Sequence, residues 1–281
     1  MEAVCEGKRW DVLLSERDGS IEGALPYLIG RKLGLTYILQ PQLTQFNGPW
    51  YRSDDPALRQ RVGDDLERQL RKLHATVFLQ HFAPDISDPA PFSCGRGYRC
   101  SQRVTYRFDP IPAPDTLPSL ADRGRKRGLE AVDKSYILDK EVATEEFAVF
   151  HRQYWERRSG HDLIPQALLE RVVQTALDRR QGLLYGLRDH SGQLMAARFV
   201  AFDDRCAYAL LSAMHSDALR NSMTHLVWAT MTDLYGRTEI YDFEGSMDPG
   251  IAHFYRSFGS TPTSFLEVSR FRPRFLSHLI H

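Results

Sequence analysis

The chain has 281 residues, of which 42% are hydrophobic, 26% charged and 11% aromatic, a composition that excludes disorder, collagen-like repeats and coiled coil as its dominant state. Lys plus Arg equals Asp plus Glu at 36 each, so no whole-chain field draws it to nucleic acid or an anionic membrane, and any such partner needs a local patch. At the usual ~100 to 200 residues per domain the length corresponds to about two domains.

In chain order, residues 10–14 and 21–29 read as two strands about a turn containing Asp18-Gly19. Residues 35–39 form a third short apolar run, followed by an irregular polar segment that carries Phe46, Trp50 and Tyr51. A helix is expected over 55–72, with Leu58, Val62, Leu66 and Leu70 at spacing four and Pro56 in its first turn. A strand is expected over 76–80. Pro110, Pro112, Pro114 and Pro118 then make a stiff connector, which puts a domain transition near 100–110 and predicts domains at 1–100 and 101–281. Beyond it come expected helices at 117–132, 142–158 and 165–180, and a meander of strands at 182–187, 194–202 and 206–214. A helix at 223–235, a strand at 239–243, a helix at 249–258 and a strand at 264–269 complete the pattern. No internal repeat is visible at periods of 20 to 50 residues.

The four cysteines, at 5, 94, 100 and 206, include no CxxC pair, and the first residues carry Glu2, Glu6, Lys8 and Arg9 without an apolar stretch. A cytoplasmic protein without membrane insertion is expected. The common nucleotide, zinc-protease, serine-hydrolase and calcium motifs are missing, and His151 and His161 lack a third ligand at credible spacing, so neither a metal nor a tightly bound cofactor is expected. The thirty arginines against six lysines are read as a compositional bias. Within them, the run 123–127 is either a solvated face or a contact for an anionic acceptor or tRNA.

The meander, helix, strand, helix, strand order of 182–269, together with Asp248, Tyr255 and Gly259 in the register Asn-x6-Tyr-x3-Gly, resembles the GNAT superfamily of acyltransferases, with Asp standing for Asn. Gln40-Pro-Gln-Leu-Thr-Gln45-Phe-Asn-Gly48 is similar to the QPxxTQxxG segment of small bacterial Fem-like proteins, the GNAT branch that uses aminoacyl-tRNA and is built from two GNAT-like domains. The resemblance implies an α/β fold, a mixed sheet with flanking helices in two GNAT-like domains. Because members usually carry a further segment before the hairpin, the first domain is expected to be shortened. GNAT enzymes that use coenzyme A supply a Gly-rich turn for the pyrophosphate; this chain has Ala218, Asn221 and Met223 at those places.

Acyl transfer to an amine needs a base for the ammonium and an acid for the leaving group. Asp242 and Glu244 share one face of a strand, so both carboxylates are expected to reach a cleft while Tyr241 and Phe243 pack. Tyr255 is the candidate acid. Arg220, Asn221 and Ser222 are candidate donor contacts, and Gln45, Asn47, Trp50, Tyr51, Ser246 and His253 candidate acceptor contacts. Plainer readings stay open: the carboxylates pair with Arg256 or cap a helix, Tyr255 is a core tyrosine, and Asn221 or Ser222 is an ordinary cap. The expected function is direct acyl or aminoacyl transfer to a small-molecule or peptide amine in a ternary complex, from aminoacyl-tRNA or an acyl thioester such as acyl-CoA, with tRNA a candidate partner and DNA not. The alternatives are an acetyl-CoA-dependent N-acetyltransferase and an inactive GNAT-fold binding protein.

Overall fold

The structure, a computed structural model, describes residues 2–5, 7–86, 88–127, 129–159, 164–245 and 249–273. His161, Ser246 and Asp248 lie outside them. In chain order the elements are β1 (Arg9–Arg17), β2 (Ser20–Lys32), β3 (Leu35–Ile38), β4 (Trp50–Tyr51), α1 (Pro56–Lys72), β5 (Val77–Phe82) and β6 (Arg99–Phe108). Then come α2 (Leu117–Leu120), α3 (Arg123–Lys126), α4 (Leu129–Ser135), β7 (Ile137–Asp139), α5 (Thr144–Ser159) and α6 (Gln166–Asp178). The last are β8 (Gly182–Arg188), β9 (Leu194–Phe202), β10 (Cys206–Met214), α7 (Ser222–Leu234), β11 (Ile240–Asp242), α8 (Pro249–Arg256) and β12 (Thr261–Phe271).

The single basic helix expected over 117–132 is three short ones. Ala121 and Arg127 are extended, and the Asp122 carboxylate caps α3 by accepting from the Arg125 N–H at 2.9 Å. A side chain that satisfies a helix start also breaks the helix before it.

The chain divides into two compact units, Met1–Arg103 with Ser264–His281, and Val104–Thr263. The sequence pattern alone places 101–281 in one domain. From Ser264, however, β12 pairs antiparallel with β5, and Val268 joins the apolar core of the first unit. A strand edge left by β5 is a stronger attraction than chain continuity.

In the first unit β1, β2 and β3 form an antiparallel meander, turned at Asp18 and Gly19 with φ of 51° and 74°. The crossover through α1 then brings β5 parallel to β3. The expected stripe on α1 is realised: Val62, Leu66 and Leu70 are sealed from solvent with Leu25, Ile38, Phe78 and Phe82. Asp55 closes the start of α1, its carboxylate accepting from the N–H groups of Ala57 and Leu58.

The second unit repeats the scheme. Strands β8, β9 and β10 form an antiparallel meander, α7 crosses over, β11 runs parallel to β10, and β6 pairs antiparallel with β11. Val200, Val227, Met231, Leu234, Tyr241 and Phe243 are buried together in its core. The strand β11 is only three residues long and meets β10 at Cys206, Ala207 and Tyr208, so the remainder of β10 has no β11 partner.

Just after β11, a Cβ on Gly245 would stand 1.8 Å from the carbonyl oxygen of Val104 in β6. Gly245→Ala is therefore expected to lower stability by about 1 to 3 kcal/mol, the range for overpacking. Urea unfolding beside the wild type checks this, and an unchanged midpoint would mean that the contact relaxes freely.

Candidate active site

Where β11 stops and β10 runs on, the second unit holds a cavity of about 370 Å³ whose walls include Tyr154, Trp155, Arg198, Met214, Met223 and Tyr255. This lies within the ordinary ~300 to 1,000 Å³ of small-molecule sites.

Asp242, the last residue of β11, is fully buried. One carboxylate oxygen accepts from the Thr105 hydroxyl and from the Glu244 N–H at 2.8 Å, and the other accepts from Arg107 Nε at 2.6 Å. The Thr105 hydroxyl in turn accepts from the Gly245 N–H at 3.0 Å. Burial pushes the Asp242 pKa up, against the pull of Arg107. The ion-pair partner is thus Arg107 of β6 rather than Arg256, and both carboxylate oxygens are engaged. The expectation of two carboxylates open to one cleft is corrected for Asp242.

Glu244 differs. Its φ of 55° shows that the strand alternation has ended, and its Oε1 is sealed from solvent with no hydrogen-bond partner among the described residues. Burial first, and the charge of Asp242 second, push its pKa up to about 8, with Arg198 opposing. A carboxyl that titrates near neutrality is suited to proton transfer. Tyr241 and Phe243 are fully buried, as the alternation predicts.

Tyr255, on α8, lines the cavity and packs its ring on Phe243 at 5.0 Å between centroids. Burial pushes its phenol up to about 12, so it keeps its proton at neutral pH. The charges of Arg198 and Glu244 both act on it, so the three groups share one neighbourhood. Arg198 is the residue that sequence reasoning missed. It is 2% exposed and stands in mid-strand in β9, where its Nε donates to the Tyr241 hydroxyl at 3.1 Å and its Nη1 to Ser212 Oγ at 2.8 Å. The available signal was a lone charge inside the apolar run Leu194–Phe202, since a strand buried on both faces has no solvent for a guanidinium.

The donor candidates sit at the start of α7. Asn221 is its N-cap but makes no side-chain cap bond, Ser222 gives its hydroxyl to the Leu219 carbonyl at 2.7 Å, and Arg220 is exposed. The basic run contributes Arg125, whose guanidinium lies 4.7 Å over the Phe254 ring and reaches Thr224 Oγ1 at 3.4 Å, while Arg123, Lys126 and Arg127 are exposed. His253 is exposed on α8, two positions and more than half a turn from Tyr255, so it does not face the cavity.

Gln45, Asn47, Trp50 and Tyr51 belong to the first unit. There the Gln40 side chain accepts from the His81 N–H at 3.0 Å, and the Asn47 N–H donates to the His81 carbonyl at 2.9 Å. The segment 40–48 is thereby stitched to β5. Trp50 is 51% exposed, and Tyr51 packs against the core with Arg59 over its ring at 5.6 Å. Among the described residues no group of His, Cys, Asp and Glu is arranged to hold a metal, and no helix is long and apolar enough to cross a membrane.

Residues 121–249 match the family described as the acetyltransferase (GNAT) domain. Among solved structures, FemX is similar with a TM-score of 0.71 at 12% identity, covering 98% of this chain and 90% of that one. A tandem GNAT protein from the clavulanic acid biosynthesis pathway gives 0.60 at 15% identity over 94% and 83% of the two chains. L-PGS from Bacillus licheniformis gives 0.59 at 12% identity over 98% and 87%. At such identities the likeness is one of fold. No protein of curated function matches in sequence. Both units share a meander, a crossover helix and a parallel strand, and residues 121–249 match the acetyltransferase (GNAT) domain, so the chain carries a GNAT domain in a fold similar to those of FemX and the tandem GNAT protein.

Proposed function

We propose that the protein transfers an acyl or aminoacyl group from an ester or thioester to an amine by direct attack in a ternary complex, with Glu244 as base and Tyr255 as acid. The observation that carries this reading is the buried Glu244 carboxylate, with one oxygen lacking a partner among the described residues and a pKa pushed up to about 8, beside a protonated Tyr255. Glu244 takes the proton of the ammonium, the freed lone pair attacks the acyl carbon, and Tyr255 protonates the departing oxygen or sulfur. Asp242 acts as a positioning residue: it orients the Glu244 N–H and its charge raises the Glu244 pKa.

The donor is placed at the first turn of α7, whose N-terminus has no side-chain cap and has Arg125 beside it, a setting that favours an anionic group. The corresponding start of α1 is already filled by the Asp55 carboxylate. Ala218, Asn221 and Met223 leave no glycine for close approach of a pyrophosphate. The Fem-like fold therefore favours an aminoacyl ester, such as aminoacyl-tRNA, over acetyl-CoA.

Two variants test the chemistry with a donor panel and mass detection of the N-acylated product. Glu244→Gln and Tyr255→Phe are each expected to lower turnover ~10² to 10⁴ fold, the general acid and base range, with Tyr255→Phe nearly unchanged in melting temperature and Glu244→Gln no less stable than the wild type. Full activity in both removes the assignment.

The wild-type kcat/KM is expected to rise as pH passes through about 8, where Glu244 loses its proton, and Glu244→Gln to lose that rise. Stability supplies an independent readout. The folded pKa lies above the ordinary 4.5, so the folded state holds the extra proton between the two values and loses stability as pH rises across them. The advantage of Glu244→Gln over the wild type is expected to grow from pH 4.5 to about 8; a constant difference in melting temperature would contradict the raised pKa.

Acetyl-CoA is expected to bind more weakly than micromolar, which is about −8 kcal/mol. Calorimetry that finds tighter binding restores the acetyl-CoA reading, which the description of the matched family supports.

A further inference from the structure

Arg198 has more hydrogen-bonding capacity than its surroundings use. Two of its nitrogens are engaged by Tyr241 and Ser212, but Nη2 is sealed from solvent and meets no acceptor among the described residues. No carboxylate of the described residues lies within ion-pair distance of it. A guanidinium taken out of water is ordinarily matched by an anion, and leaving it unmatched is costly. Glu244 presents the complementary deficit, a sealed oxygen without a donor among the described residues. The two opposite charges act on each other without closing into an ion pair, and Arg198 lines the cavity.

A ligand in this cavity that brings its own carboxylate would meet Arg198, and an ammonium on it would be drawn toward the Glu244 charge, which acts on both Arg198 and Tyr255 of the lining. Beside Arg158 and Ser212, the wall is mostly apolar or aromatic, with Tyr154, Trp155, Met214, Met223 and Phe254. Sulfur and ring faces of this kind suit a large flexible or aromatic side chain. The cavity, at about 370 Å³, holds about twelve water volumes of ~30 Å³, enough for one amino acid.

We propose that the amine acceptor is a free α-amino acid with a large apolar or aromatic side chain, its carboxylate held by Arg198 Nη2 and its ammonium set against Glu244. This rests on the reading of Glu244 as base. Glu244 accepts a proton from the ammonium, and the amine nitrogen bonds to the acyl carbon of the ester or thioester donor. The bond from that carbon to the donor oxygen or sulfur breaks, and Tyr255 supplies the proton to the alcohol or thiol that leaves. Return of that proton from Glu244 to the Tyr255 phenolate restores Tyr255, Glu244 then takes the second proton from the acylated nitrogen and releases it to solvent, and the product is an N-acyl amino acid.

The test compares L-phenylalanine with phenethylamine, which lacks only the carboxylate, by calorimetry on the full chain. L-phenylalanine is expected to bind at least tenfold more tightly, and Arg198→Met to reduce that preference to near unity. Equal binding of the two, or binding of neither, overturns the proposal, and the wild-type comparison decides it even if the variant does not fold. The same pair offered with the donor panel separates the two readings. Discrimination in binding with no N-acylated product supports the amino-acid site and overturns acyl transfer; product formed as fast on phenethylamine as on L-phenylalanine supports acyl transfer and overturns the carboxylate role of Arg198.

Discussion

Asp242 is the point on which the second unit turns. A single buried carboxylate gathers the Thr105 hydroxyl, the Arg107 guanidinium and the Glu244 N–H. This fastens β11 to β6 and ends the strand after three residues. Because the backbone then enters the left-handed region at Glu244, the next carboxylate leaves the alternation and is buried with an oxygen unsatisfied by the described residues. The β10 strand, released after Tyr208, leaves the opening from which the cavity is made. Removing one partner from such a buried pair typically costs about 3 to 5 kcal/mol, because the other charge stays behind unmatched.

Buried charges without partners are unfavourable for folding and useful for chemistry. Arg198 is withdrawn from water and Glu244 is half-buried with its Oε1 sealed, yet each retains capacity that the described protein does not fill. The low local dielectric strengthens the action of each on a bound substrate and holds the carboxyl near neutrality. Tyr255 is kept protonated by the same burial, and in the proposed reaction it gives the proton that the leaving group needs.

The two units make the same pattern to different ends. In the first, the ground beyond β3 is closed by the 40–48 segment, stitched through Gln40 and Asn47 to His81, and the start of α1 is closed by Asp55. In the second, β10 stays open beyond β11 and the start of α7 has no side-chain cap. Identical topology thus yields one closed and one open unit, and the difference lies in a few side chains that satisfy or fail to satisfy backbone groups.

Features held by neighbours in the chain were legible in the sequence. The Asp18-Gly19 turn, the Val62, Leu66 and Leu70 stripe of α1, the meander of β8, β9 and β10 and the packing of Tyr241 and Phe243 all follow from turn chemistry and from periods of 3.6 and 2. Glu244 and Tyr255 could be singled out from the sequence for the same reason, since a strand end followed by a helix places them near one another. The Asp122 break in the expected 117–132 helix was local too, but it required weighing a cap against a helix, and the repeat of the two units is one of topology without a visible repeat of residues. What only the tertiary structure decided depends on partners far apart in the chain. Asp242 meets Arg107 across 135 positions, β12 pairs with β5 of the first unit, and Arg198 finds Tyr241 but no carboxylate among the described residues. A sequence shows which charges exist; whether a buried charge is matched depends on distances that folding alone sets, and the unmatched ones make this site.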